Sequence, residues 1–136
     1  MSHDTNDLHS TLMTAINAGN MDAALSLLFG LPNDQNRLDT LRNIAEDLDA
    51  EVDTEATFAI ASALNHAYVL FLNNTFPLIR DLALANVGER TNALIHAHKL
   101  TRDFADTLKD DPDQAAIFNC GVFLIRALER LLRISK

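Results

Sequence analysis

The sequence predicts an all-α fold: one compact bundle of about six helices formed by a single domain spanning residues 1–136. Three observations carry this expectation. Apolar residues make up 48% of the chain, enough for a core, while Gly and Pro number only four and three, too few for a loop-rich β architecture. Ala and Leu dominate the apolar set, which favours helix over strand. Nowhere do apolar and polar residues alternate between turn signals as a half-buried strand requires.

A first helix is expected after Asp4 or Thr5, because Leu8, Leu12, Met13 and Ile16 share one stripe, and Gly19-Asn20 ends it. Asn20 is suited to cap a second helix with Asp22 in its first turn and Met21, Ala24, Leu25 and Leu28 on its apolar face. Gly30-Leu31-Pro32 stops that helix. The segment GNMDAALSLLFGLPND, with its Gly-polar turn, small Ala and terminal Pro, resembles the second helix of a tetratricopeptide-type repeat. The pattern does not recur along the chain, so the pair is read as an ordinary helical hairpin. A third helix, about 34–48, buries Leu38, Leu41, Ile44, Ala45 and Leu48 and turns Arg37, Asp39, Arg42, Glu46 and Asp47 to its other faces.

Residues 46–55, EDLDAEVDTE, hold six carboxylates and no base. Their alternation resembles the start of a calcium-binding helix-loop-helix loop, but that loop needs Gly at its sixth position and a bidentate acid at its twelfth. Counted from Asp47, those positions are Val52 and Phe58, so the motif fails. The segment is expected to be a solvated loop whose Asp53 or Thr54 caps the next helix.

That next helix, 55–73, is expected to be central. Residues 56–79 carry no Asp, Glu, Lys or Arg, and a helix apolar on every face has to be covered on every face. Asn65, His66 and Asn73 would each need a partner in hydrocarbon, so no membrane span is expected. Pro77 ends or bends the helix, and Asn74 or Thr75 is suited to cap a further helix from Phe76 that Gly88 closes. Another helix, 89–108, carries Leu94, Ala97, Leu100 and Phe104 as its core stripe. His96 and His98, two residues apart, point roughly 200° away from each other and cannot chelate one metal. Both are read as surface or rim residues.

Asp111-Pro112-Asp113-Gln114 is a strong start signal: Asp111 caps, Pro112 takes the first helical position and Gln114 can reach back. The C-terminal helix, 112–134, is expected to be the second core element. Its small residues Ala116, Cys120 and Gly121 are predicted to cross Ala59, Ala63 and Ala67 of the central helix. In that apolar setting Cys120 behaves as a small hydrophobe.

Function is approached through charge. Residues 1–56 hold eleven acids against Arg37 and Arg42, whereas residues 57–136 hold eight acids against nine bases. The first half is therefore strongly acidic and the second nearly neutral. A nucleic-acid partner is not expected, since the basic excess is confined to the last helix. No nucleophile–base pair, phosphate-cradling loop or His-x-x-x-His spacing occurs, so neither catalysis nor a metal or other cofactor is expected. The sequence instead points to an intracellular interaction protein, regulatory in character, binding another protein and forming homo-oligomers. Its contact residues would be Arg126, Arg130, Arg133 and Leu131 on one side and Asp49, Glu51 and Asp53 on the other. An alternative is a small-molecule or enzymatic pocket around Asn65, His66, Tyr68 and Asn73. With a lone Cys and no signal-like N-terminus, the cytoplasm is the expected location.

Overall fold

The computed structural model describes the backbone of residues 3–73 and 80–133, and the side chains of residues 8–72 and 87–133. Within them the fold is an all-α bundle. Its helices are α1 (His3–Asn17), α2 (Met21–Phe29), α3 (Asp34–Val52), α4 (Glu55–Asn73), α5 (Arg80–Leu108) and α6 (Ala115–Leu132), with a 3-10 turn at Pro112–Gln114.

Local chemistry sets the breaks. Gly19 takes a positive φ of 75°, and the N–H groups of Gly19 and Asn20 close the α1 C-terminus on the carbonyls of Ile16 and Ala15, a geometry that glycine adopts without steric cost. Asn20 Oδ1 then accepts from the Ala23 N–H at 3.3 Å, and Asn33 caps α3 the same way at 2.9 Å. The expected cap at Asp111 forms, accepting from Asp113 N–H at 3.0 Å. It caps the 3-10 turn, however, and Gln114 makes no capping bond to α6.

The acidic stretch is helix rather than loop. α3 runs through it to Val52, and Asp53 and Thr54 alone separate α3 from α4. Asp53 ends α3 in the left-handed region (φ 54°, ψ 57°). Thr54 opens α4 with a reciprocal cap: its N–H donates to Thr57 Oγ1 at 3.0 Å, and the Thr57 N–H donates to Thr54 Oγ1 at 3.2 Å. At the far end of α4 the expected helix from Phe76 falls partly outside the described residues. The expected stop at Gly88 does not occur, because α5 continues through it to Leu108. One glycine costs a helix only about 1 kcal/mol, and the packing of α5 on α4 and α6 outweighs it.

The core shows which helix is wrapped. α6 packs on α5, α1, α2 and α3, and its Phe123, Leu124, Ala127 and Leu128 have no exposed surface. α4 is central only within the layer α3–α4–α5. Its inner face, Ile60, Leu64 and Ala67, is fully buried. Its outer stripe of Phe58, Ser62, Asn65, Val69 and Leu72 is exposed, so the expected all-round wrapping is not observed. The predicted crossing of α4 with α6 is also replaced: a methyl at Gly121 would lie 3.5 Å from the Ala105 side chain of α5, while Ala116 and Cys120 line a cleft with residues of α1 and α3. Among the described residues α4 is also the helix long and apolar enough to cross a membrane. Residues 55–72 have a mean hydropathy of 1.2, and 33% of that stretch is buried.

Candidate functional site

Three helices bring arginines to one end of the bundle. α2 delivers Phe29 there, and the first turn of α3 sets Asp34 and Arg37 beside it. Arg37 Nη1 pairs with Asp34 Oδ1 at 2.6 Å, and its Nη2 donates to the Leu31 carbonyl at 2.6 Å, which ties the α2–α3 connection to α3. The buried Arg37 Nε has no hydrogen-bond partner among the described residues. From α6, the Arg130 guanidinium lies 4.2 Å from the centroid of the Phe29 ring, and Arg37 packs on the same ring at 5.5 Å. Arginine favours such aromatic faces because its charge is spread over a weakly hydrated plane.

These groups line a cleft of about 310 Å³ formed by Phe29, Asp34, Arg37, Arg130, Leu131 and Arg133. Asp34 and Leu131 also line an adjoining hollow of about 160 Å³, whose mixed lining combines Leu38, Phe71, Leu94 and Leu132 with Arg90 and Thr91. Arg90 lies 4.2 Å over the Phe71 ring. Burial lowers its pKa, while the charge of Asp34 acts in the opposite direction. Four guanidinium groups thus share these two cavities with one lining carboxylate. Among the described residues Arg90, Arg130 and Arg133 make no salt bridge.

The opposite end is acidic. α3 ends, α4 begins, α5 ends and α6 begins there, and Asp47, Glu51, Asp53, Glu55, Asp106, Asp110, Asp111 and Asp113 are all exposed. Cys120 lies beneath this end, in a cleft with Asp47 and Glu51. Burial pushes its thiol up to about 12, with the two carboxylates adding to the effect. Both sequence halves contribute to each end: Arg37 joins Arg130 and Arg133 at the cleft, and Asp106, Asp110, Asp111 and Asp113 join Glu51, Asp53 and Glu55 at the acidic end.

The structure sorts the sequence-predicted residues. Arg130, Arg133 and Leu131 come together at the cleft, but Arg126, exposed on α6, lines neither cavity. Glu51 and Asp53 are exposed, whereas Asp49 is partly buried and its Oδ1 accepts a hydrogen bond from Thr57 Oγ1 at 2.9 Å. It stiffens the α3–α4 corner. The buried polar pocket expected around His66 is not assembled. Asn65 and His66 are exposed on the outer stripe of α4. Tyr68 lies 4.5 Å beneath the Arg42 guanidinium, which Asp39 and Glu46 hold at 2.5 and 3.3 Å. The hydrogen bond to Asp39 is the main reason the Arg42 pKa is raised. The side chain of Asn73 lies outside the described residues.

His98 also departs from expectation. It is buried, and its Nε2 meets Glu129 at 3.1 Å, linking α5 to α6, whereas His96 is exposed. No group of three or more His, Cys, Asp or Glu among the described residues is arranged to hold a metal. No family model, curated protein or solved structure matches the chain. Arg37, Arg90, Phe29 and Phe71 escaped the sequence reading because they lie far apart in the chain and each fits an ordinary helix position. An available signal was Arg37 three residues after Asp34 in the first turn of α3, a place where the helix dipole disfavours a cation.

Proposed function

We propose that this protein acts by association, its arginine-lined end docking an acidic segment of another protein that also presents an apolar side chain. The observation carrying this reading is the convergence of Arg37, Arg90, Arg130 and Arg133, from three helices, on cavities with a single lining carboxylate. Clustered guanidinium groups repel one another, and an arriving anion relieves that repulsion while gaining forked, charge-assisted hydrogen bonds. The hollow beside them, with Leu38, Phe71, Leu94, Leu131 and Leu132 in its lining, offers burial for one side chain, the kind of anchor that dominates interface energetics. The cytoplasm is the setting this reading implies, and regulation or assembly, rather than turnover of a substrate, is the role. A nucleic-acid partner is disfavoured, because the arginines converge on a confined cleft and do not form a stripe that follows a phosphate backbone.

The test is anisotropy of a labelled peptide containing one Phe among Asp and Glu residues, titrated with the protein at several salt concentrations. Binding that weakens as salt rises, and that falls at least roughly tenfold in an Arg130→Glu/Arg133→Glu variant, is the expected result. No binding at any salt concentration, or equal binding by a variant whose circular dichroism matches the parent, would overturn the reading.

A further inference from the structure

We infer that the acidic segment received by the arginine-lined end is the α3–α4 corner of a second copy of this chain, so that molecules associate end to end. The inference rests on reading the cleft as a receptor for an acidic segment.

The corner offers what the cavities lack. Phe58, at 65%, is the most exposed large apolar side chain among the described residues. It stands one helical turn beyond Glu55 on the same side of α4, with Glu51 and Asp53 exposed nearby. At the other end, Leu38, Phe71, Leu94 and Leu132 belong to the lining of the hollow of about 160 Å³, a space that can take a single large side chain. Arg90 stands at its edge and Arg130 and Arg133 line the adjoining cleft. A ring thus answers the hollow, and carboxylates answer the arginines. The corner is also held in shape before any contact, by the Thr54–Thr57 cap and the Thr57–Asp49 hydrogen bond, which reduces the ordering cost of docking. The net charge of −8 opposes association at long range. Near physiological ionic strength charges more than about 8 Å apart are largely screened, leaving the close pairs to act.

Corner and cleft are different surfaces of one chain, so the contact is heterologous. Every assembly then keeps one free corner and one free cleft and continues to grow unless it closes into a ring.

Sedimentation velocity of the full chain over a concentration series, at near-physiological salt, tests this with two variants. Phe58→Ala/Glu55→Lys removes the corner and keeps the cleft, whereas Arg130→Glu/Arg133→Glu removes the cleft and keeps the corner. The parent should exceed its 15.0 kDa monomer mass increasingly with concentration. Each variant alone should remain monomeric, and their equimolar mixture should stop at a dimer. A parent that stays monomeric, variants that associate like the parent, or a mixture that stays monomeric would each overturn the inference. Melting curves confirm folding, and Phe58→Ser and Arg130→Gln replace any double variant that fails to fold. If the chain does not self-associate but still binds the acidic peptide through Arg130 and Arg133, the second copy is the wrong partner and the receptor reading stands. If neither occurs, both fall.

Discussion

Thr57 is fully buried where α3 meets α4, and its hydroxyl oxygen lies within hydrogen-bond distance of Asp49, Thr54 Oγ1 and two Thr54 backbone groups. In the sequence, Asp49 is one of several alternating acids with nothing to set it apart. Its partner lies eight residues on, across a corner that depends on one left-handed residue, so its structural role could not be read from spacing. Cys120 was easier, because an apolar run with no neighbouring base already implies an inert thiol. The native protein should therefore not react with a thiol reagent near pH 8, and unfolded chain should react readily, as a colorimetric thiol assay in buffer and in denaturant would measure. The same burial fixes a pH dependence. A thiol held up to about 12, against an ordinary 9.0, keeps its proton in the folded state after the unfolded chain has lost it. Its contribution to stability is therefore retained below pH 9 and lost as pH rises from there towards 12.

At the scale of elements, the all-helical class was legible from composition and periodicity, but the continuity of α5 through Gly88 and the identity of the wrapped helix were not. α4 looks central because nothing on it beyond Glu55 in its first turn is charged, yet its outer stripe from Phe58 to Leu72 is exposed. α6 carries Arg126 and Arg130 in its distal half and ends on Arg133, yet Ala127 and Leu128 there have no exposed surface. Charge on one face says little about the opposite face, and absence of charge does not specify a covering element. Small residues likewise announce close approach without naming the neighbour: Gly121 meets Ala105 of α5. The 3.5 Å spacing there is ordinary contact for a methyl group. Gly121→Ala should thus raise stability by about 0.5–1 kcal/mol through helix propensity. Gly121→Leu should lower it by roughly 1–3 kcal/mol through overpacking. Denaturant melts of the two variants check both signs.

For the whole molecule, the sequence showed a charge imbalance between halves, but the halves are not the ends. The charged ends emerge only when antiparallel packing brings Arg37 together with Arg90, Arg130 and Arg133 at one end and the C-termini of α3 and α5, with their carboxylates, at the other. Arg126, three residues from Glu129 and four from Arg130, shows how little helical strip membership decides. It shares their helix but lines neither cavity.

Asp53 joins the two scales. Its left-handed backbone (φ 54°) costs most residues with a Cβ roughly 1–2 kcal/mol and Asp or Asn less, while glycine would occupy the same conformation without strain, offset by a cost in unfolded-chain entropy. Asp53→Gly should therefore melt no lower than the parent while self-associating more weakly, as calorimetry and sedimentation on the same sample would show. The shortest connection between α-helices among the described residues would then be a compromise, in which backbone comfort yields to keeping a negative charge at the acidic end of the bundle.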